Sequence, residues 1–593
     1  MIVASCPVNQ TPLDWDGNVD RILKATTQAR EKGASLVLFP ELCLSGYGCE
    51  DYFLMPWLYE EAFIRLERDI VPASTGILLA VGVPISFQGF HYNTLAICID
   101  GRLHGLYAKQ ILANEGVFYE SRWFKPWTLN STKELPGKPG VLIGDFTVNF
   151  NGMKVGFEIC EDAWHPDERP AVTGAARFAD LIINASASNF ARGKLADRHH
   201  VVETLEGRNE AWYLYANLLG NESGSLIFDG EVILGKAGKV LASSPILSME
   251  EYRVEVFELD EKRTNWPGPL QEESDFEEFT AAVCLGLKDY LRKSRSQGFT
   301  ISLSGGADSS VCAVLVAEML KRGIKNLGKI ELERQLGFDL GDDPLPISKL
   351  LSCAYQACEN SGSTTLNAAE KLASELGAEF HYWDLRELVQ DYTSIIENST
   401  QQKLDWKTDD LCLQNIQART RAPGIWMLAN VRKHLLISTS NRSEGDVGYC
   451  TMDGDTAGCL APIAGVSKHF IRQWLVWAKE NLGIESLELV ISQAPTAELR
   501  PTAQTDEGDL MPYDLLLEIE ELFLREKVSP SRIAEILSHR RSESLDYLQN
   551  CTAQFISMWK RNQWKRERLA PSFHLDNFNI VPRSMGRFPI FSA

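Results

Sequence analysis

The chain has 593 residues, of which 59 are basic and 80 acidic, giving a net charge of −21 at pH 7. This balance argues against a general surface for nucleic acid or anionic membranes, although it is compatible with a local basic pocket for phosphates. The length calls for at least two domains, and thirteen cysteines with no CxxC pair, no secretory signal pattern and no bilayer-length apolar run predict a reduced, cytoplasmic protein.

The first half alternates short apolar strands with amphipathic helices. A helix is expected from Asn18 to Lys32, where apolar residues recur at helical spacing before Gly33. The pattern is that of an α/β sandwich, and we assign residues 1–262 to this first domain. The predicted strands are residues 35–40, 77–83, 94–99, 154–159, 180–186 and 252–259.

A break in this pattern marks the domain boundary. Residues 263–276 combine two prolines, a glycine and dense charge, so we expect a linker there. Residues 277–593 form the second predicted domain. There "FTISLSGGADSSVCAVLVAEMLKRG" reads as strand, glycine turn and helix, with the helix starting at about Ser309, and "HLLISTSN" (434–441) reads as another strand. This order is typical of a doubly wound parallel sheet that binds ligands at the carboxyl ends of its strands.

The stretch "GFEICEDAW" (156–164) contains one cysteine with acidic residues on both sides. Glu158, Glu161 and Asp162 surround Cys160, and carboxylates raise the pKa of a nearby thiol. We expect Glu158 on the same side of the strand as Cys160. Either Cys160 is an inert buried thiol, or its activating partner lies elsewhere in the chain.

Two other strand ends of the first half carry suitable partners. Glu41 lies in "FPELCLSGY" and Lys109 in "YAKQILANEGVFYESRWF". Lys109 would supply the positive charge that stabilises a thiolate or an oxyanion, and Glu41 would take the thiol proton as general base.

The three residues in this chain order resemble the Glu-Lys-Cys triad of the nitrilase, or carbon–nitrogen hydrolase, superfamily, and the resemblance extends from about Ile2 to Asp260. It implies an α-β-β-α sandwich with Glu41, Lys109 and Cys160 as catalytic residues. Residues matching an additional active-site glutamate and a glutamine-binding segment, "NASASNFARGKLADR", are Glu120, Ser188 and Lys194.

The stretch "LSGGADSS" (303–310) is the most informative in the second half. Gly305 and Gly306 allow the backbone to approach a ligand, while the following helix offers free N–H groups to an anion, and the Ser304, Ser309 and Ser310 hydroxyls add donors. Asp308 would repel phosphate alone, so it indicates a divalent cation between the two. The plainer alternative is a serine-capped helix after a tight turn; a Walker A loop is excluded by the absent GxxxxGK[ST] pattern.

This loop resembles the N-type ATP pyrophosphatase family, in which the SGGxDS turn binds the pyrophosphate of ATP. Four further stretches resemble NAD synthetases, namely residues 415–421, 438–468, 495–514 and 562–577. The resemblance implies ATP and Mg²⁺ as cofactors and covers essentially the whole second half.

Carried over position by position, the resemblance assigns a role to several polar residues. Thr439 resembles the adenine-nucleotide contact, Asp308 and Glu444 resemble magnesium ligands, and Thr496 matches a phosphate- or metal-side hydroxyl. The residues that match deamido-NAD contacts are Asn415, Asp455, Lys468 and Lys565.

A nitrilase-like domain followed by an ATP pyrophosphatase domain resembles the family of glutamine-dependent NAD synthetases. The resemblance implies a ligase that takes glutamine, ATP and deamido-NAD, moves ammonia through a tunnel, and assembles as a homo-oligomer, often an octamer. Three alternatives stay open: another glutamine-fed ATP-dependent ligase, a non-catalytic glutamine or nucleotide sensor, and, more weakly, a simple nitrilase. The acidic, proline-broken segment 328–350 reads as a surface insertion.

Overall fold

The computed structural model describes residues 1–270, 273–493, 498–501, 505–582 and 585–590. The chain divides into two compact units, Met1–Asp289 and Tyr290–Ala593. Over the described ranges, no helix is both long enough and apolar enough to cross a membrane.

The first unit is built on two large β-sheets. One has eight strands in the order β16-β1-β2-β3-β4-β5-β7-β6, and the other has six in the order β15-β14-β11-β10-β9-β8. The strands are β1 Ile2–Ser5, β2 Leu36–Leu38, β3 Leu78–Phe87, β4 Phe90–Ile99, β5 Arg102–Ala108, β6 Thr132–Glu134, β7 Leu142–Gly144, β8 Val148–Phe150, β9 Met153–Ile159, β10 Leu181–Ser186, β11 Trp212–Asn217, β12 Leu219–Asn221, β13 Ile227–Asp229, β14 Val232–Lys236, β15 Lys239–Ser243 and β16 Glu255–Glu258. The helices are α1 Trp15–Glu31, α2 Pro56–Arg65, α3 Val71–Ala73, α4 Pro170–Thr173, α5 Lys194–Glu203 and α6 Asp275–Ser294, of which the last continues past the unit boundary.

Alternating side chains divide the first unit into four layers. In β9 and β10, Phe157 and Ile183 lie in the core between the two sheets, together with Leu78 of the first sheet. The neighbouring Leu79 of β3 points the other way, into a core shared with α1 and α2. Ile182 of β10 similarly faces α4 and α5. Because successive residues of a strand face opposite sides, strands buried on both faces produce an α-β-β-α sandwich.

The second unit is organised around a four-stranded parallel sheet in the order β19-β18-β17-β20. The strands are β17 Phe299–Ser302, β18 Leu351–Ala357, β19 Glu379–Asp384 and β20 Leu435–Ile437. The helices are α7 Ala307–Leu327, α8 Lys329–Leu336, α9 Ile347–Leu350, α10 Ser363–Leu376, α11 Arg386–Thr400, α12 Asp410–Arg432, α13 Arg442–Val447, α14 Lys468–Leu482, α15 Leu487–Ile491, α16 Asp506–Asp509, α17 Tyr513–Glu520, α18 Pro530–Ser538, α19 Leu545–Arg561 and α20 Gln563–Arg566.

The strand order of the second unit reverses next to its first strand. The chain adds β18 and β19 on one side of β17 and then returns to place β20 on the other side. In a doubly wound sheet, the crevice at such a reversal is where ligands bind, at the carboxyl ends of the strands. The segments that follow β17 and β20 therefore face this crevice.

The predicted fold class is confirmed for both halves. Two details differ from expectation. α7 begins at Ala307 rather than at about Ser309, because Gly306 already serves as the N-cap. Segment 328–350 is more than a surface insertion, since α8 buries Leu332 and Leu336 and α9 buries Ile347.

Candidate active sites

Three strand ends of the first unit bring Glu41, Lys109 and Cys160 together. Glu41 follows β2 in the next loop, Lys109 comes directly after β5, and Cys160 comes directly after β9. All three are buried. The Lys109 ammonium contacts the Glu41 carboxylate at 2.6 Å, and both groups lie near enough to shift the pKa of the Cys160 thiol.

The Lys109 ammonium lies between two carboxylates. Its Nζ donates to Oε1 of Glu41 at 2.6 Å and to Oε1 of Glu120 at 2.9 Å. Asn93 also donates to Oε1 of Glu41, at 2.7 Å, and Tyr47 donates its hydroxyl hydrogen to Glu120 at 2.8 Å. Nζ also lies 2.8 Å from Oε2 of Glu120, so the ammonium is placed against both carboxylates.

The second oxygen of Glu41 is set apart from this network. Glu41 Oε2 is buried and accepts no hydrogen bond from the residues that the structure describes. Burial raises the pKa of the Glu41 carboxyl above its ordinary value, against the opposing effect of Lys109. A carboxylate with a free oxygen and a raised pKa suits a general base.

Cys160 is held as a protonated thiol. Burial and the Glu41 charge raise the pKa of the thiol above its ordinary value, while Lys109 opposes the shift. Its backbone is in the left-handed region, with φ of +42°, a conformation that costs a non-glycine residue roughly 1–3 kcal/mol. Strained residues of this kind cluster at functional sites, and a thiol without a standing charge needs a base at the moment of attack.

The acidic neighbours of Cys160 have their own partners. Asp162 accepts backbone N–H groups of Ile159, Gln110 and Ile111. It thereby ties the Cys160 turn to the segment after Lys109.

The expectation that Glu158 shares a side with Cys160 is wrong. Glu158 binds Arg169 through two hydrogen bonds, of 3.0 and 2.6 Å, beside α4, whereas Cys160 packs in the core between the sheets. The left-handed backbone at Cys160 turns the chain at the end of β9, so the strand alternation does not continue through it. The Glu158 charge is thus neutralised by Arg169.

Ser188 and Lys194 lie in the segment that follows β10. The Ser188 hydroxyl is buried and has no hydrogen-bond partner among the described residues. Lys194 opens α5 and donates to Oδ1 of Asn189 at 2.7 Å. Burial, reinforced by Arg198, lowers the pKa of Lys194 to about 8, and the charge of Cys160 acts in the opposite direction.

The glycine turn of the second unit lies between β17 and α7. Gly305 has a φ of +77°, and a Cβ there would lie 2.0 Å from the carbonyl oxygen of Thr365, so the position requires glycine. Ser304 and Ser309 share a hydrogen bond of 3.1 Å, and Ser310 donates to the Gly306 carbonyl. Among the described residues no side chain caps α7, so its N-terminal N–H groups are available at the crevice.

A cavity of about 980 Å³ opens over this turn. Gly305 and Ser310 are not among its lining residues, since the first packs on Thr365 and the second turns back to the backbone. The predicted residues that line it are Ser304, Gly306, Asp308, Ser309, Asn415, Thr439, Glu444, Asp455, Lys468 and Lys565.

Lys468 brings the two predicted magnesium ligands together. Its Nζ binds Oδ2 of Asp308 and, at 3.1 Å, Oε1 of Glu444. Asn441 caps α13 and donates to Asp308 at 3.1 Å, which fixes the carboxylate further. Lys468, predicted from the resemblance as a dinucleotide contact, occupies the point where both carboxylates converge.

The donor set at Lys468 fits a hard dication that also binds phosphate. No group of three or more His, Cys, Asp or Glu side chains in the described residues is arranged to hold a metal. Mg²⁺ is commonly held by one or two carboxylates plus phosphate oxygens. Asp308 and Glu444 supply such a pair beside the N-terminus of α7.

The remaining predicted contacts also line the cavity. Thr451 donates its hydroxyl to Asn415 and its backbone N–H to Asp455, at 2.8 and 2.9 Å. Lys565 donates to the carbonyls of Gly448 and Cys450. Thr496 lies outside the described residues.

Several residues at these sites were not singled out by the sequence analysis. Asn93 and Tyr47 hold the two carboxylates of the first site, and Asn184 accepts the backbone N–H of Cys160 at 3.3 Å. In the second site, Arg421 and Arg561 line the cavity. Tyr47, Asn184 and Arg421 lie inside segments that the sequence analysis quoted, but nothing in those segments assigned them a contact. Asn93 and Arg561 lie outside the quoted segments, and only the fold brings them to the sites.

Comparison with known families assigns each unit a class. Residues 2–255 match the carbon–nitrogen hydrolase family, and residues 279–569 match the NAD synthase family. The fold and the two sites therefore define an enzyme of the ligase class with a hydrolase unit at its N-terminus.

Full-length relatives narrow this class. A glutamine-dependent NAD(+) synthetase of Aquifex aeolicus is 30% identical, over 95% of this chain and 94% of the relative, and one of Saccharomyces cerevisiae is 28% identical, over 97% and 93%. The crystal structure of a glutamine-dependent NAD(+) synthetase from Cytophaga hutchinsonii superposes with a TM-score of 0.89 at 42% identity, covering 100% of this chain and 98% of that one. The chain belongs to the family of glutamine-dependent NAD(+) synthetases.

Proposed function

We infer that the protein makes NAD from deamido-NAD, with ATP as the activating substrate and glutamine as the nitrogen donor. The observation that carries this function is the match over the whole chain to a glutamine-dependent NAD(+) synthetase at 42% identity. The products are NAD, AMP, pyrophosphate and glutamate.

The first unit releases ammonia from glutamine. Cys160 attacks the side-chain amide carbon while the free oxygen of Glu41 accepts the thiol proton. Lys109, held between the Glu41 and Glu120 carboxylates, stabilises the oxyanion that forms through its positive charge. Glu41 returns the proton to the leaving nitrogen, ammonia departs, and water hydrolyses the remaining γ-glutamyl thioester to glutamate.

The second unit activates the nicotinate carboxylate of deamido-NAD. The carboxylate oxygen attacks the α-phosphorus of ATP, pyrophosphate leaves toward the N-terminus of α7, and ammonia then displaces AMP from the acyl adenylate. Asp308 and Glu444 would hold Mg²⁺, which supplies positive charge to the phosphates. Among the chain's own residues, Ser304 and Ser309 orient phosphate oxygens, and Lys468 adds a cation beside them.

The proposed function is tested by a nitrogen-source assay with the wild-type protein. We expect NAD from deamido-NAD and ATP with either glutamine or ammonium, with one AMP and one pyrophosphate per NAD. No NAD from either nitrogen source would overturn the synthetase assignment. ATP use that depends on a different acceptor would favour another glutamine-fed ligase.

The KM for glutamine should rise with pH because Lys194 would pair with the α-carboxylate of glutamine. With the pKa of Lys194 lowered to about 8, the ammonium is mostly charged at pH 7 and mostly neutral at pH 9. Since only the charged form attracts a carboxylate, the KM should increase about tenfold between these pH values. Initial-rate measurements of glutamine hydrolysis across this range give the profile.

Lys194→Arg is the matched control for this profile. A guanidinium stays charged throughout the range, so the variant should keep whatever pH dependence belongs to glutamine and to Glu41 and lose the part due to Lys194. Identical profiles for wild type and variant would contradict the assigned role.

We also propose that the protein is a homo-oligomer, with the apolar face of α11 covered by a second copy. No residue of α11 is buried, and Leu388, Tyr392 and Ile395 are each about half exposed. α11 packs on α12, whose Leu411 is 71% exposed and also lines the cavity. A second copy on this face would bury these side chains and help to complete the dinucleotide site.

Charge introduced on α11 should break this assembly. Ile395→Glu is expected to lower the mass measured by light scattering and to raise the KM for deamido-NAD severalfold. Ile330→Glu is the control, because Ile330 is 85% exposed on α8 and should tolerate the charge. An Ile395→Glu protein of wild-type mass would contradict the proposal, and the wild-type mass itself tests the octamer.

Two further proposals concern the boundaries and the location of the protein. We propose residues 1–262 and 277–593 as the domains and 263–276 as the segment between them, of which the last two residues already belong to α6. Family matches that end at 255 and begin at 279 support this division. All thirteen cysteines are free thiols, which supports a reducing compartment, the cytoplasm.

A further inference from the structure

Ser188 and Lys194 are two donors that share a buried region of the first unit. The Ser188 hydroxyl is buried without a hydrogen-bond partner in the described residues, and Lys194 has only the neutral oxygen of Asn189 as a hydrogen-bond acceptor there. Two buried donors with spare hydrogen-bonding capacity bind a ligand well when their positions are fixed before glutamine binds. The structure shows what fixes them.

Asn217, the last residue of β11, forms hydrogen bonds with both backbone groups of Ser188. Its Oδ1 accepts the Ser188 N–H at 2.8 Å, and its Nδ2 donates to the Ser188 carbonyl at 2.8 Å. Asn217 is fully buried. A side chain bonded to both backbone groups of one residue restrains the direction of that residue's own side chain.

Asp229 links Asn217 to the helix that carries Lys194. One oxygen of Asp229 accepts from Nδ2 of Asn217 at 2.8 Å, and the other binds the guanidinium of Arg198. Arg198 lies four residues after Lys194 on α5, one turn along the same face. Arg198 also binds Glu231 at 2.7 Å, so α5 is anchored at this point. One buried carboxylate thus binds both Asn217, which holds the Ser188 backbone, and α5, the helix that begins with Lys194.

We propose that Asn217 is a positioning residue for glutamine binding, which sets the Ser188 hydroxyl and, through Asp229, the α5 helix that carries Lys194. The proposal rests on the proposed glutaminase function. It assigns Asn217 no contact with the reacting atoms, so its loss should weaken binding more than turnover.

The test is a double-mutant cycle on the KM for glutamine, with full-length proteins and glutamine hydrolysis as the assay. We expect Asn217→Ala to raise KM at least tenfold and to lower kcat less than threefold. If Asn217 acts by aiming the Ser188 hydroxyl, Asn217→Ala should raise KM far less when Ser188→Ala is already present. Residues that act independently would multiply their effects instead.

Asn209→Ala is the matched control. Asn209 is also buried, donates to the carbonyl of Ala171 at 2.8 Å and accepts the N–H of Ala211 at 2.9 Å, but it has no link to Ser188. It should lower the melting temperature and leave the KM for glutamine unchanged. An equal rise in KM for Asn209→Ala, or multiplied effects in the cycle, would overturn the positioning role.

A second variant covers the case in which Asn217→Ala does not fold. Asp229→Asn replaces one oxygen by an amide group, which preserves shape but removes the charge that Arg198 binds. It should also raise the KM for glutamine at least fivefold, and an unchanged KM would overturn the proposal. A wild-type protein without glutamine hydrolysis would instead overturn the proposed function itself.

Discussion

Cys160→Ala should abolish NAD formation from glutamine and leave NAD formation from ammonium close to the wild-type rate. Without the thiol, no thioester forms, and the expected loss of the glutamine-driven rate is at least about a thousandfold. The ammonium-driven rate persists because Cys160 is not among the residues that line the cavity of the second unit. Both rates can be followed by NAD formation with deamido-NAD and ATP held constant.

Cys98→Ala provides the control for this substitution. Cys98 is a buried thiol of β4 that lies in the core facing α1 and α2, away from the Cys160 site. Both of its rates should stay near those of the wild type. If Cys160→Ala lost the ammonium-driven rate as well, the assignment of Cys160 to ammonia release alone would be wrong.

Asp308→Asn should lower NAD formation from both nitrogen sources and leave glutamine hydrolysis intact. Asp308 meets Glu444 at the Lys468 ammonium, next to the N-terminus of α7. Replacing its charge by an amide weakens the group that would hold the metal and leaves Lys468 less neutralised. We expect NAD formation to fall at least about a hundredfold with glutamine and with ammonium alike.

Glutamine hydrolysis distinguishes this result from a folding defect. It should remain in Asp308→Asn, since Glu41, Lys109 and Cys160 keep their contacts in the first unit. Asp384→Asn is the control in the second unit. Asp384 is an acidic residue at the end of β19 whose one side-chain partner among the described residues is Arg386, and it is not among the residues that line the cavity. A normal synthesis rate for Asp308→Asn would remove Asp308 from the proposed site.

Much of the architecture follows from local sequence signals. Apolar runs bounded by polar turns located β2, β3, β4, β9 and β10, and the glycine turn after β17 predicted the position of the crevice. Glu41, Lys109 and Cys160 could be grouped because each follows a strand, and strand ends meet at sheet edges.

The supporting residues could not be predicted in this way. Asn217 reaches Ser188 across 29 positions of sequence, and the contact exists only because β10 and β11 are neighbours in the sheet. Glu158 was misplaced because strand alternation was extended through Cys160, where the backbone leaves the extended region. Lys468 was assigned to the dinucleotide from its sequence position. Its contacts with Asp308 and Glu444 depend on the packing of α14 against α7 and α13, which the sequence does not show.

The raised pKa of the Cys160 thiol has a consequence for survival of the protein under oxidative stress. Peroxides and other oxidants attack the thiolate form, and exposure speeds the reaction further. Cys160 is buried and protonated when glutamine is absent, so sulfenic acid should form on it slowly. In the resting protein the nucleophile therefore reacts slowly with oxidants. The burial that makes Glu41 necessary as a base also protects the sulfur from oxidation between turnovers.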